Sequence, residues 1–376
     1  MPTDRHFALI SPIVLTLGAV VAISPPAWSQ IRGNNYINGV QGDVVVGRFL
    51  INPDPATEGR TLSTSHQIRL GANSQATLNC SNGGIYPLRG AGTYRVSDYC
   101  PDERSDRPGP RNSTRAPFDP ALPYVISPRN TALIATEALT LEWHPVEGTT
   151  SYTVEIDGPE VDWSIQVSEP KAVYSDLESL QPDYRYTVVI TAENGQSPVM
   201  GPPVGFAMLS EIERDRVNEQ VEAVKAKQLD PNVEAIALAL VYLGFEHSDR
   251  DRQSYALNQA ALDVLEAQIE AGTENSQIYL LQADTYLTIR LPLLAKERYE
   301  QALRLAEEVG QRELQAESYW GLAAIAEGQT EYGDAIAHLQ SAQQLYNELG
   351  DRDQDEAFQD RIEAMEAEIP RSSSLQ

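Results

Sequence analysis

The hydrophobic period of the sequence changes near Ser210, and this change constrains the fold more than any other feature. Before Ser210, apolar and polar residues alternate in short runs, a period of two that is typical of β-strands. After it, apolar residues recur with the period of about 3.6 that is typical of α-helices, and proline nearly disappears. A chain of 376 residues with both patterns in separate stretches is predicted to be multidomain, with all-β parts first and an α-helical part last.

The helical stretch repeats itself at an interval of forty residues. A first set of positions recurs as a second set: Tyr279, Ala283, Ala295, Tyr299, Ala302, Leu305, Val309 and Gly310, then Tyr319, Ala323, Ala335, Leu339, Ala342, Leu345, Leu349 and Gly350. A weaker copy covers 232–272. Small residues recur where helices cross closely, so we predict three helix-pair repeats over 230–350. A connecting helix over 210–229 and a capping helix with a polar tail over 351–376 flank them.

This repeat resembles the tetratricopeptide repeat, through Tyr319, Leu322, Ala323, Tyr332, Ala335, Leu339 and Ala342 of the last copy. The resemblance implies a solenoid in which the first helix of each pair lines a partner-binding groove. The matching positions are Gln277, Leu280, Asp284, Leu287, Glu317, Trp320, Ala324 and Glu327. Trp320 follows the core position Tyr319 and either points into the groove as a binding anchor or packs against a following helix. Both interpretations stay open.

The alternation is most regular over 121–209. Leu139, Leu141 and Trp143 share one strand face, and Leu180-Gln181-Pro182-Asp183-Tyr184-Arg185-Tyr186 precedes a later strand. The early Trp, a Tyr on the next strand and this Leu-x-Pro-x-x-x-Tyr corner resemble the fibronectin type III domain. That resemblance implies a β-sandwich with Trp143 and Tyr186 in its core, and a Tyr186 hydroxyl that bonds to backbone at the corner.

The first β stretch covers 30–103, and its turns are marked by Asn52-Pro53, Ser81-Asn82-Gly83-Gly84 and Gly90-Ala91-Gly92. The runs 59–64, 67–70 and 76–84 resemble the extracytoplasmic β domain of FecR-type proteins. The resemblance implies sensing or binding at the cell envelope, and a purely structural β module is the alternative. A segment rich in Pro and Arg over 104–120 is predicted to be an extended linker.

The amino terminus has the features of an export signal. Arg5 and His6 precede an apolar run, and the small residues Ala27 and Ser29 follow it. We predict a signal peptide over 1–29, cleaved between Ser29 and Gln30; the alternative is a retained anchor helix. No later run is long enough to cross a membrane. The predicted location is extracytoplasmic, in the periplasm or secreted, and the combination of features resembles exported bacterial envelope proteins of cyanobacterial type.

The chain has two cysteines, Cys80 and Cys100, in the first β stretch. Two residues are too few for a closed zinc site, and a cysteine pair in an oxidising compartment tends to form a disulfide. We therefore predict that Cys80 and Cys100 are bonded, which closes a loop of about twenty residues and contributes roughly 3 kcal/mol. The alternative is two free thiols.

The net charge of −26 is unevenly distributed. Residues 30–118 hold ten arginines against seven acids, whereas residues 211–376 hold fourteen basic groups against thirty-three acids. Nucleic acid as a partner is excluded because its phosphates need a basic surface. The acidic helices predict a protein or peptide partner that is neutral or basic.

Catalytic and metal-binding motifs are missing from the sequence, which has no Gly-x-Ser-x-Gly, Walker loop, His-Glu-x-x-His or Cys-x-x-Cys. We predict no enzyme activity, no metal and no cofactor. Asp351, Asp353 and Asp355 have calcium-loop spacing, but Glu356 and Ile362 replace the required Gly and Glu, so helix N-terminal charge is favoured. The mature chain keeps four histidines in separate segments: His66, His144, His247 and His338.

These features favour a non-enzymatic exported scaffold or adaptor that binds a protein partner through its helical repeats. The alternative is an envelope sensor whose basic first domain recognises an anionic envelope polymer, and an enzyme is a third option. The identity of the partner and the oligomeric state stay open.

Overall fold

The computed structural model describes residues 35–81, 83–100, 121–134, 138–193, 204–245, 247–248, 254–352 and 355–369. The predicted signal peptide, its cleavage residues Ser29 and Gln30, and the 104–120 linker lie outside these ranges. The described residues form a β-rich amino-terminal region followed by a helical carboxyl-terminal region.

Residues 35–100, which we call the first β unit, form two antiparallel sheets of four strands each. Alternate residues of both sheets meet in one core, which includes Ile37, Val46, Ile68 and Leu78. The sheet orders are β4-β1-β6-β7 and β3-β2-β5-β8, and a short helix α1 follows. The elements are β1 Asn35–Gln41, β2 Val44–Gly47, β3 Asp54–Pro55, β4 Thr61–Leu62, β5 Gln67–Leu70, β6 Gln75–Asn79, β7 Ile85–Arg89, β8 Gly92–Arg95 and α1 Val96–Tyr99.

The predicted disulfide between Cys80 and Cys100 is confirmed. Their Cα atoms lie 5.2 Å apart, and both side chains are buried in the core of the first β unit. Cys80 follows β6 and Cys100 follows α1, so the bond ties the last turn of the unit to a central strand.

Residues 121–209, the second β unit, also consist of two sheets that share one core. Trp143 and Tyr186 are buried in this core, as predicted, and the Gln181 amide donates a hydrogen bond of 2.6 Å to the Tyr186 hydroxyl. The sheet orders are β14-β11-β9 and β10-β16-β15-β12-β13. The strands are β9 Val125–Ser127, β10 Thr131–Leu133, β11 Leu139–Trp143, β12 Tyr152–Gly158, β13 Val161–Val167, β14 Lys171–Tyr174, β15 Arg185–Ala192 and β16 Gly205–Met208.

The helical region begins at Ser210 with a complete capping box, in which Ser210 and Glu213 bond to each other's backbone amides. Asp230 caps the next helix, and Pro231 occupies its first position. The helices are α2 Glu211–Lys225, α3 Pro231–Gly244, α4 Asn258–Glu270, α5 Ser276–Thr288, α6 Pro292–Val309, α7 Arg312–Gly328, α8 Tyr332–Glu348 and α9 Asp355–Glu366. Among the described residues, no helix is long and apolar enough to cross a membrane.

The helices from α3 onwards pack in sequential order, and the first helices of neighbouring pairs also touch: α3 with α5, and α5 with α7. The repeated alanines lie where the helices cross, and Ala283, Ala295, Ala302, Ala323, Ala335 and Ala342 are all buried. We call α3 to α9 the helical stack. Between α3 and α4 lies a small hairpin of β17 His247–Ser248 and β18 Ser254–Tyr255. This insertion explains why the first copy of the repeat is the weakest.

Candidate functional site

The eight predicted groove residues lie on α5 and α7, but they do not line an open groove. Leu280, Leu287 and Ala324 are buried in the core that α5, α6 and α7 share. Asp284 accepts a hydrogen bond of 2.5 Å from the Tyr299 hydroxyl, and Glu327 pairs with Arg361 of α9. The remaining three are buried Gln277 and Trp320, and half-buried Glu317. In the structure these residues contribute to packing and pairing between helices. Their role in binding a partner stays a prediction.

Trp320 takes the second of its two predicted positions, against a following helix. Its side chain is 2% exposed and meets Phe358 of α9 edge to face, with 5.2 Å between the ring centroids. Tyr346 of α8 lies 6.5 Å away in a similar orientation. An aromatic anchor for a partner needs an exposed ring. Trp320 therefore joins α7, α8 and α9 and presents no such ring at the surface.

The strongest electrostatic feature is a buried group of charges where the first β unit meets the helical stack. Glu313, in the first turn of α7, is 3% exposed. Its carboxylate lies 2.8 Å from Arg60 Nη2, 2.9 Å from His66 Nε2 and 3.3 Å from Arg48 Nε. Arg48 Nη1 also lies 2.7 Å from the Asp351 carboxylate at the end of α8. We call Arg48, Arg60, His66, Glu313 and Asp351 the charged interface.

Each charge of this interface depends on its partners because little water reaches it. Burial raises the pKa of Glu313, but His66, Arg60 and Arg48 together have the larger effect and hold that pKa well below its ordinary value. Burial lowers the pKa of Arg48, and Glu313, followed by Tyr346, Asp351 and Glu317, more than reverses this effect. Glu313 is therefore ionised at neutral pH, and removing it takes the paired carboxylate from buried Arg60 and one of two from Arg48.

The segment 54–61 of the first β unit runs along the amino-terminal ends of successive helices. Gln311 Nε2 donates a hydrogen bond of 2.7 Å to the Thr57 hydroxyl, and Asn275 Nδ2 donates one of 3.1 Å to the Glu58 carbonyl. The Thr61 hydroxyl donates a hydrogen bond of 3.1 Å to Gln277 Oε1. Asn275 and Gln311 precede α5 and α7, so this one segment contacts two neighbouring helix pairs through hydrogen bonds.

Gly59 is the point at which the 54–61 segment meets the first helix pair. Its φ is +76°, and a Cβ at this position would lie 2.5 Å from Ile236 Cδ1 of α3. Gly148, in a turn of the second β unit, has the same φ of +76° but nothing within 4 Å of a Cβ. The two glycines thus differ in packing alone.

We expect Gly59→Ala to lower the free energy of unfolding by about 1–3 kcal/mol more than Gly148→Ala does. Both changes carry the cost of a left-handed backbone, but only the first forces a side chain into an occupied position. Urea unfolding of the two variants and the parent chain measures the difference. Equal losses would mean that α3 yields to the added methyl group and that this contact is loose.

The second β unit contacts the helical stack from a different side. Arg129 Nε donates a hydrogen bond of 2.7 Å to the carbonyl of Ile289, which directly follows α5. Its Nη1 donates one of 2.9 Å to the carbonyl of Val125. Because α5 has 13 residues, its two ends lie about 20 Å apart. One β unit therefore holds the amino-terminal end of α5 and the other holds its carboxyl-terminal end.

Each β unit also caps a helix whose own N-cap residue gives no side-chain bond. The Asp54 carboxylate of β3 accepts a hydrogen bond of 2.8 Å from the Glu313 amide at the start of α7. The Thr131 hydroxyl of β10 accepts a hydrogen bond of 3.1 Å from the Gln259 amide at the start of α4. In both helices the bonded amide is the second of the unpaired N–H groups that begin a helix. Each β unit thus satisfies one backbone amide at the start of a helix of the stack.

Sequence reasoning missed the charged interface, although one signal pointed to it. From the sequence, the acidic helices predict a neutral or basic partner, and in the alternative the basic first stretch recognises an anionic polymer. Arg48 and Arg60 instead pair with acids of the same chain, and the Asp351 carboxylate lies 2.7 Å from Arg48 Nη1. Asp353 lies outside the described residues, and Asp355 begins α9.

No protein-family model matches the chain, and no curated protein matches it. Among solved structures, the crystal structure of MamA protein is similar to part of the chain, with 16% identity and a TM-score of 0.27. The match covers 43% of this chain and 88% of the MamA chain. The assignment of function therefore rests on the residues of this chain.

Proposed function

We propose that the chain is a non-enzymatic exported scaffold or adaptor that binds a protein partner through its helical repeats. The observation that carries the proposal is the two-sided bracing of the helical stack. Buried ion pairs, helix caps and hydrogen bonds from both β units fix the relative positions of the helix pairs. A surface fixed in this way is preorganised, and preorganisation lowers the entropic cost of binding a partner.

We assign the helix pairs to the tetratricopeptide type, the second β unit to the fibronectin type III-like sandwiches and the first β unit to the FecR-like domains. Buried alanines at the repeated positions support the first assignment. The hydroxyl of Tyr186 at the corner before β15 supports the second. The third rests on the turn and strand order of the sequence.

The partner surface that we propose lies on the second helices of the pairs, because the first helices are enclosed. On α6 the exposed charged residues are four acids and two bases: Glu297, Glu300, Glu307 and Glu308, then Lys296 and Arg304. On α8, Asp334 and Glu348 are exposed, and the helix has no Lys or Arg. We call these two exposed faces the outer surface. Its acidity favours a neutral or basic protein partner.

The sensor alternative loses part of its basis. It needs free positive charge on the first β unit, but two of the five arginines in residues 35–100, Arg48 and Arg60, belong to the charged interface. The other three, Arg69, Arg89 and Arg95, are exposed. Part of the positive charge of this unit therefore serves contact with the helical stack and is not open to an external polymer.

Site-specific photo-crosslinking in the exporting cell tests the proposed function. A crosslinking residue at Glu300 of α6 or Gln340 of α8 is expected to trap one and the same protein, whereas a residue at exposed Ser164 of β13 is not. The double change Glu300→Lys and Glu307→Lys is expected to reduce the yield at Gln340 at least several-fold. Absence of a defined product, or the same products at Ser164, would refute the outer surface as the binding site.

A further inference from the structure

Three side chains that are remote in sequence meet where the second β unit joins the helical region. Asp183 lies in the turn before β15, Glu213 in the first turn of α2 and His247 in β17. One ligand atom from each residue lies within 4.8 Å of the other two. The cluster thus combines one imidazole nitrogen with two carboxylate oxygens, a donor set that divalent transition metals accept.

His247 is the distinctive member of this cluster. Its side chain is fully buried, and Nδ1 lies 3.0 Å and 3.1 Å from the two carboxylate oxygens of Glu213. Nε2 is also buried, and it has no hydrogen-bond partner among the residues that the structure describes. The two ring nitrogens point in different directions, so Nδ1 is the nitrogen that faces the Glu213 carboxylate and is placed to ligate a cation shared with it.

The Glu213 carboxylate is held by Ser210, and the backbone of Asp183 is held by β16. Glu213 Oε2 accepts hydrogen bonds of 3.0 Å from the Ser210 amide and 2.7 Å from the Ser210 hydroxyl. These bonds of the capping box fix the rotamer of Glu213. Asp183 has a left-handed backbone with a φ of 64°, and its amide donates a hydrogen bond of 3.0 Å to the Met208 carbonyl of β16. Ligands fixed by such bonds lose little entropy when a metal binds.

We propose that Asp183, Glu213 and His247 form a binding site for a divalent transition cation of the Zn²⁺ type. Three protein ligands leave a coordination position for water. The ion joins the corner of the second β unit, the start of α2 and the β17–β18 hairpin, so its role is to fasten these elements together. The sequence predicted no metal, because the ligands are separated by 30 and 34 residues in three different elements and no local spacing reveals them.

Titration of the metal-free full chain with Zn²⁺ by isothermal calorimetry tests this site. The chain, stripped by chelation, is expected to bind one equivalent with micromolar or tighter affinity, and its Tm is expected to rise by several degrees at saturation. Co²⁺ in place of Zn²⁺ is expected to give the visible absorption bands of a low-symmetry site with a nitrogen ligand. These readouts separate a metal site from a hydrogen bond between His247 and Glu213, which no cation would strengthen.

Asp183→Asn is the decisive variant, because asparagine tolerates the left-handed backbone and keeps the side-chain shape. It is expected to weaken Zn²⁺ binding at least tenfold and to abolish the Tm increase. His144→Gln and Asp162→Asn are matched controls outside the cluster, and they are expected to bind like the parent chain. His247→Gln, where it folds, is expected to lose binding entirely. No calorimetric binding to the parent chain, or unchanged affinity in Asp183→Asn, would overturn the proposal.

Discussion

Glu313→Ala is expected to lower the free energy of unfolding by about 3–5 kcal/mol, because it removes the carboxylate that pairs with buried Arg60 and leaves Arg48 with Asp351 alone. Arg48 and Arg60 have side chains that are only 7% and 3% exposed, so water cannot replace the lost carboxylate. The His66 ring loses its acceptor at the same time. Urea unfolding followed by far-UV circular dichroism measures the loss. Glu313→Gln keeps the volume and is expected to lose nearly as much, since the charge is the main contribution.

Glu308→Ala is the matched control on the same stack. Glu308 is paired with Arg304 one turn away, and both side chains are more than half exposed. Exposed pairs of this kind contribute little, so a loss below about 0.5 kcal/mol is expected. Similar losses at Glu313 and Glu308 would mean that the charged interface is open to solvent and does not fasten the first β unit to the helices.

The pH dependence of stability gives a second measure of the same group. The pKa of Glu313 is lowered in the folded chain, so its stabilising effect is fully present above the ordinary glutamate pKa of about 4.3. That effect is lost as the pH falls below this value towards the folded-state pKa. The parent chain is therefore expected to lose more stability between neutral and acidic pH than Glu313→Gln does. Parallel curves for the two proteins would contradict the assignment.

Trp320→Ala is expected to lower the free energy of unfolding by about 3–5 kcal/mol, the range for removing a large buried aromatic side chain. The indole fills the space between α7, α8 and α9, where Phe358 and Tyr346 would face a cavity. Trp163→Ala is a useful comparison, because Trp163 of β13 is only partly buried against Tyr174. We expect a smaller loss for that variant by the same denaturation measurement.

The Trp320 variant also separates packing from binding. If Trp320→Ala kept the stability of the parent chain but lost the crosslinked partner, Trp320 would be a binding anchor and its buried position would be misleading. A large loss of stability with normal crosslinking below the unfolding transition supports the packing role. Crosslinking must therefore be measured at a temperature at which the variant remains folded.

Local patterns in the sequence were sufficient to predict the elements of the fold. Alternation predicted strands such as that of Leu139, Leu141 and Trp143, and the forty-residue interval predicted the paired helices. Ser210 and Asp230 cap α2 and α3, and such caps are visible in a sequence because capping depends on a few adjacent residues. Each of these signals acts over less than one element or repeats at a fixed interval, so a single sequence reveals it.

The candidate site could not be predicted in the same way because it is assembled from distant residues. Arg60 and Glu313 are separated by 253 positions, and Arg48 and Asp351 by 303. No periodicity links such pairs, and only the contrast in charge between the two ends of the chain hinted at their contact. Similarly, neither the position of Trp320 against α9 nor the meeting of Asp183 with His247 follows from a local spacing.

The 54–61 segment gives the helical stack a property that open repeat arrays do not have. In an open array each repeat touches only its neighbours, so terminal repeats fray independently of the rest. Here one segment near the start of the chain bonds to α5 and α7 and packs on α3, and nearby Arg48 reaches the end of α8. Opening any one pair breaks contacts that the others share. The repeats should therefore unfold as one cooperative unit, with a melting transition that resembles that of a globular domain.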